Sequence, residues 1–334
     1  MVHYGDGRRA HRRDAREFVR HREHRHVVDP ACHESARLDP ARRDPACGDR
    51  PVSAPTRVST SGGSASTASV VVRTHDSIAT VRATVDSVRA QTMAPQLVVV
   101  DSGSTDGTRE LVAELADVVV DLAPGQFTYG RSLNAGVTAA TGDVMATLSS
   151  HCTIPRPDWL AIAAGHLAAG AVAACGQHSD GDRRPLDGPF RADLPYLRAH
   201  PLWGMSAHAG VWSGPALRAH AFDETLSASE DKEWCWRAVG DGWIAIDPAL
   251  VVEGGHRRAH GTRDYYRRLV REYGSLRHLQ PVAPYTVTAA LHDFAAAVPV
   301  APHLSDAPRL RRTRAIEVAA QWRATRPRGV GPRR

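Results

Sequence analysis

Hydrophobic patterning begins abruptly near Ala68. Before it, apolar residues follow neither a helical nor a strand period, Asp-Pro-Ala recurs at Asp29, Asp39 and Asp44, and residues 52–66 are rich in Ser, Thr, Gly and Pro. That texture predicts a disordered extension or linker over residues 1–66. Residues 69–72 are then a β-branched run, and Ile78, Val81, Val85 and Val88 recur at helical spacing behind Ser77 as N-cap. The pair predicts a strand, a loop and a helix. Residues 97–100 (LVVV) run into Asp101 and a Ser/Gly/Thr/Asp turn, which predicts a buried strand ending at a polar loop. A helix over 108–115, a strand over 118–120, a helix over 130–140 with Gly142 as its C-cap and a strand over 144–148 follow.

Beyond Pro155 and Pro157, Asp158-Trp159-Leu160 opens an Ala-rich helix, and the apolar window 159–175, broken by His166, predicts a buried helix plus a short strand rather than a membrane span. Residues 180–201 predict a Gly/Pro/Asp/Arg loop over a cleft. Ser229-Glu230-Asp231 opens another helix, in which Trp234 and Trp236 point to different faces, one for the core and one for an acceptor. Short strands over 243–246 and 249–252 and a basic amphipathic helix over 265–279 complete the pattern. Regular alternation of strand and helix implies an α/β fold on a mostly parallel sheet, of the type that binds nucleotides. In such sheets ligands sit at the carboxyl ends of strands, so Asp101 stands where a small molecule would be held. The same residues would also serve an ordinary strand-to-helix turn.

Composition narrows the picture. The chain has 334 residues, 42 of them Lys or Arg but only one of these, Lys232, a lysine, and its net charge is +6. The arginine bias accompanies an alanine and aspartate bias, and most of the surplus charge falls outside the patterned region, so no nucleic-acid partner is expected. Cys32, Cys47, Cys152, Cys175 and Cys235 contain no CxxC pair and read as free thiols of a reducing compartment. The first residues lack the apolar core of a signal peptide, and a cytoplasmic protein is expected. Neither GxGxxG nor GxxxxGK[ST] occurs, which removes the usual dinucleotide site and the phosphate loop.

In order along residues 69–256, SVVVRTHDS, QLVVVDSGSTDGT, FTYGRSLNAGVTAATGDVMATLSSHC followed by PDWL, AFDETLSASEDKEWCWR and DPALVVEGGH resemble the family 2 glycosyltransferases. The resemblance implies a GT-A-like three-layer α/β/α sandwich over residues 67–285, followed by a basic tail with a helical segment over 286–334. It implies an inverting transfer of a hexosyl or deoxyhexosyl group from a nucleotide-diphosphate sugar to a glycan or lipid-linked acceptor, in polysaccharide or glycolipid synthesis. By the same resemblance Arg73, Thr74, Asp101, Ser102 and Asp106 meet the base and ribose, and Arg131, Asn134 and Ser149 lie near the sugar nucleotide. Asp231 is the catalytic base, with Glu230 supporting it. As plain chemistry, two acids at a helix start also complement the helix dipole, with Ser229 as cap.

Where the family usually carries a metal-binding D-x-D, the chain has Ser149-Ser150-His151. Three readings stay open: a divalent cation, manganese or magnesium, held through His151 and His256; a metal-free enzyme that sets Arg131 or His151 against the leaving charge; and a catalytically inactive nucleotide-sugar-binding relative. Imidazole suits manganese better than magnesium. His260 is a further candidate near the diphosphate. A nucleotidyltransferase would want a glycine-rich basic loop where RTHDS stands. The basic C-terminal helix suits either an anionic membrane surface, such as the inner face of the plasma membrane, or a solvated tail.

Overall fold

The computed structural model describes residues 66–123, 125–181, 184–240, 242–254, 261–278, 286–296 and 307–325. The expected extension therefore lies, up to residue 65, outside the described residues, as do His256 and His260. In chain order the first half runs β1 (Ala68–Thr74), α1 (Val81–Arg89), β2 (Gln96–Asp101), α2 (Thr108–Leu115), β3 (Val118–Asp121), α3 (Tyr129–Ala139) and β4 (Val144–Ser149). After α4 (Trp159–Ala168) come β5 (Ala173–Cys175), β6 (Phe190–Ala192), α5 (Leu194–Ala199), β7 (Ala209–Ser213), α6 (Gly214–Ala219), α7 (Glu230–Ala238) and β8 (Ile244–Ile246). The C-terminal part holds α8 (Thr262–Ser275), α9 (Val287–Ala296) and α10 (Ala307–Thr325).

The strands form one sheet in the order β3-β2-β1-β4-β7-β5-β8-β6. β1 lies parallel to both β2 and β4, β2 parallel to β3, and β5 parallel to β8, while β7 and β6 run antiparallel to their neighbours. Strands covered on both faces need apolar residues at every position, and the valine runs supply them. Val70, Val72, Leu97 and Val99 face a core with Val81, Val85 and Val88 of α1, Val112 of α2 and Trp159 and Leu160 of α4. Val71, Val98 and Val100 face the other core, with Leu133 and Val137 of α3, Leu217 of α6 and Trp234 of α7. The result is the expected three-layer, GT-A-like α/β fold, and the apolar window is indeed a helix and a strand. All described residues fall in one compact unit, Gly62–Arg334.

Several local expectations are corrected. Helix α1 starts at Val81 because Ser77 is spent elsewhere, its hydroxyl donating to the His75 carbonyl, and Ile78 is exposed rather than part of the buried stripe. Gly142 does not cap α3, which closes at Ala140. It is needed for close approach, since a Cβ there would stand 2.5 Å from the Ser69 amide nitrogen. Residues 249–252 form no strand: Asp247 accepts from the Ala249 amide and Pro248 opens a single 3-10 turn, Pro248–Leu250. The supposed loop over 180–201 contains β6 and α5, with Phe190, Tyr196 and Trp203 packed together. Trp234 and Trp236 are both buried in the same core rather than on opposite sides of α7.

The basic C-terminal helix uses its apolar residues on α8: Ile316, Ala320 and Ala324 pack with Leu269 and Tyr273. No described helix is long and apolar enough to cross a membrane.

Helix α3 crosses β1 and β2 at Gly136, where a Cβ would meet Val71 Cγ1 at 2.2 Å and Val100 Cγ2 at 3.0 Å. Overpacking of this kind costs about 1–3 kcal/mol. Gly136→Ala is expected to lower the unfolding free energy by that amount, read as a lower urea midpoint at an unchanged slope; an unaltered midpoint would contradict the contact.

Candidate functional site

The loops after β1 and β2 are stitched together by acids. Asp101 is buried at the end of β2, and its carboxylate accepts from the amides of Gly103 (2.9 Å) and Ser104 (2.8 Å) and from the Ser104 hydroxyl (2.5 Å). Asp106 accepts from the Thr108 hydroxyl and amide and from the Ile78 amide (3.1 Å), which ties its loop to the loop after β1. The Thr108 hydroxyl is the main reason the Asp106 carboxyl titrates below its usual range. Asp76, in the left-handed region at φ 43°, accepts from the Thr105 amide at 2.7 Å and donates its own amide to Ser104. An aspartate held there is a strained conformation of the kind that gathers at sites.

Beside these loops, Thr74 pairs in register with Asp101 and Arg73 with Ser149, and the Ser102 amide donates to the Thr74 carbonyl. Two buried polar atoms here have no hydrogen-bond partner, Thr74 Oγ1 and Arg73 Nε. An orphaned buried donor carries a desolvation penalty of about 1–3 kcal/mol. Such groups at a strand end are therefore poised for a ligand. The Arg73 guanidinium also lies over the Tyr129 ring, 5.3 Å from its centroid, which brings the start of α3 to the same edge.

Arg131 and Asn134 act together on one loop. Arg131 Nε donates to Glu224 at 2.8 Å, and Asn134 donates to Glu224 and to the Phe222 carbonyl while accepting from the Phe222 amide. Arg131 first, then Asn134, holds the Glu224 carboxyl below its ordinary range. Glu224 was not singled out in the sequence, where it was an unremarked acid in DETL.

The α7 start meets this edge through the main chain of one residue. The Ala207 carbonyl accepts from Arg73 at 3.2 Å and from the Thr147 hydroxyl at 2.9 Å, and the Ala207 amide donates to Asp231 Oδ2 at 2.7 Å. Asp231 Oδ1 accepts from the Lys232 amide at 2.8 Å and lies 3.5 Å from the Lys232 ammonium. Glu230 and Asp231 are both buried. Burial, and after it the Asp231 charge, pushes the Glu230 carboxyl up to about 7, against the pull of Arg73 and Lys232. Ser229 precedes them in the left-handed region at φ 63°, and its hydroxyl does not cap the helix but reaches the Glu272 carbonyl on α8. Ala207 contributes only main-chain atoms, so no side-chain pattern marks it.

At the end of β4, the Ser149 amide donates to the His208 carbonyl, and the Ser150 hydroxyl is engaged with Ser77 at 2.8 Å. His151 is exposed on the following turn, where a Cβ on Gly254 would come within 2.3 Å of its carbonyl oxygen. Gly254 thus lies against the His151 main chain. Among the described residues no three His, Cys, Asp or Glu side chains gather as a divalent cation would require. The hydroxyls and single imidazole described at this strand end are not a donor set that fits manganese or magnesium.

Titration of Glu230 gives a pH test. Its native value near 7 lies above the ordinary 4.5, so between these the unfolded chain releases a proton that the native state keeps, and stability falls as pH rises through that window. Glu230→Gln is expected to be more stable than the native sequence above pH about 7, by on the order of 3 kcal/mol, with the difference vanishing below about pH 4.5. Urea unfolding from pH 4 to 8 measures it, and a pH-independent difference would contradict the burial of this acid.

Comparison with known proteins follows the same edge. Residues 69–224 match the family model described as Glycosyl transferase family 2. A pre-mycofactocin glycosyltransferase of Mycobacterium tuberculosis is 26% identical over 249 residues, covering 68% of this chain and 52% of that protein. The chain thus spans about half the length of that curated relative. An uncharacterized glycosyltransferase of Nostoc is 33% identical over 87 residues, 25% of this chain and 27% of its own length. Among solved structures, a mannosyltransferase of Pyrobaculum calidifontis in complex with GDP-Man and Mn2+ superposes with a TM-score of 0.55 at 19% identity, covering 78% of this chain and 86% of that one. That likeness is one of fold. The matched residues run from β1 to the loop that carries Glu224 and end before α7.

Proposed function

We propose that the chain is an inverting glycosyltransferase that moves a sugar from a nucleotide-diphosphate sugar to an acceptor hydroxyl, with Asp231 as the base. The observation that carries this reading is the Ala207 main chain, which holds Arg73 on its carbonyl and Asp231 on its amide and so sets a cation and a carboxylate at one strand edge. Asp231 takes the acceptor O–H proton. The acceptor oxygen forms its bond to the anomeric carbon on the face opposite the diphosphate, the bond from that carbon to the diphosphate oxygen breaks, and its electron pair leaves with the nucleoside diphosphate. A carboxylate has about four acceptor positions, and the hydrogen bonds to Asp231 leave one for the incoming proton.

In this reading the orphaned Thr74 Oγ1 and Arg73 Nε donate to the donor nucleotide. Asp101 and Ser102 accept from its base or ribose, Asp106 keeps the two loops together, and Arg131, Asn134 and Ser149 frame the diphosphate and sugar. Glu230 shapes the field around Asp231. A glycan or lipid-linked hydroxyl is the acceptor class implied by the family resemblance. The GDP-Man bound by the Pyrobaculum mannosyltransferase places guanosine-diphosphate sugars beside uridine- and thymidine-diphosphate sugars in the panel to be tried.

Release of nucleoside diphosphate from that panel, with manganese or with EDTA, tests the reading. Asp231→Asn is expected to lose about 10²- to 10⁴-fold in kcat while nucleotide affinity, read by thermal shift, changes little. Binding without turnover of any donor would favour a nucleotide-sugar-binding relative, and full activity in Asp231→Asn would remove Asp231 as base.

A further inference from the structure

We propose that Lys232 is a positioning residue for the proton transfer, its ammonium holding the Asp231 carboxylate in place. The inference rests on the reading of Asp231 as base. The chain has 42 basic residues, and every one but Lys232 is an arginine. A sequence so uniformly committed to arginine keeps its one ammonium directly after the candidate base. There the side chain is 14% exposed, donates to the Met205 carbonyl at 3.3 Å and lies 3.5 Å from Asp231 Oδ1.

The surroundings explain the choice of ammonium. Burial acts to neutralise Lys232, but the carboxylates of Asp231, Glu272 on α8 and Glu230 outweigh it and raise its pKa, so it stays protonated. Its partners come from different directions: a carbonyl on the loop before β7, a carboxylate on α7 and the charge of Glu272 on α8. An ammonium donates tetrahedrally to such a set, whereas a guanidinium is a planar fork made for in-plane partners. Asp231 is held from both sides, by the Ala207 amide on Oδ2 and by Lys232 on Oδ1. Two adjacent buried acids repel each other, and the Lys232 ammonium offsets that repulsion from its place beside Asp231. A misplaced reacting group costs on the order of 10²-fold in rate, which is the scale available to such a hold.

Because Lys232 is the only lysine, ¹⁵N-lysine labelling of the full chain gives one side-chain ammonium signal, readable whether or not a donor sugar is known. The expected signal is protected from solvent exchange in the native protein and displaced in Asp231→Asn and in Glu272→Gln. With the donor that the native protein turns over, Lys232→Met is expected to lose about 10- to 100-fold in kcat with donor KM within about twofold. The double variant Lys232→Met/Glu272→Gln removes one charge of each sign. It should regain the thermal midpoint lost in Lys232→Met but not kcat. Recovery of both would make Lys232 a neutralising charge only, and an ammonium signal indifferent to Asp231→Asn would remove the contact; either result overturns the proposal. Full activity in Asp231→Asn would instead overturn the reading of the base.

Discussion

The main chain of one residue, Ala207, joins the two halves of the site. Its carbonyl accepts from Arg73 of β1 and its amide donates to Asp231 of α7, so the parallel strands that open the chain and the helix that follows more than a hundred residues later are hydrogen-bonded to the same residue. Main-chain groups are well suited to this task, since they have no rotamers to lose and their direction is set by the strand they lead into. Here that strand is β7, whose antiparallel pairing with β4 brings Ala207 to the carboxyl edge of β1 and β4. The Thr147 hydroxyl on β4 secures the same carbonyl.

Around this point the molecule concentrates buried charge. Glu230, Asp231 and Lys232 follow one another at the start of α7, and Glu272 approaches from α8. In the interior such groups are costly unless each is paired, and removal of one leaves the rest uncompensated. The structure meets that cost with reciprocal pairing and with Ser229 held in a left-handed conformation that turns the chain into α7. The packing of α10 on α8 extends the support outward, so the basic C-terminal helix is linked through α8 to the acids of α7.

The loops of the first half use acids differently. Asp76, Asp101 and Asp106 accept from backbone amides within and between the loops after β1 and β2, which fixes the loop geometry before any ligand arrives. Preorganisation of that kind lowers the ordering cost of binding. Thr74 and Arg73, whose buried atoms are left without partners, are the groups with donors to spare.

The alternation of apolar runs and helical periods was sufficient to specify the α/β class, most of the elements and the strand end at Asp101, because a strand buried on both faces must be apolar throughout and an amphipathic helix must repeat at its own period. The order of the motifs likewise carried Asp231 to the front of the candidates. What the chain could not express locally were features made by distant parts: Ala207, which acts through its main chain; Glu224, whose environment is Arg131 and Asn134; and Gly142, which answers to Ser69 rather than to its own helix. Lys232 was visible as a count of one, yet its meaning came only with Asp231, Met205 and Glu272 gathered around it. Periodicity is a property of neighbours in sequence and can be read there. The field and the hydrogen bonds at a site belong to residues that meet only when the sheet is assembled, and tertiary structure alone decides them.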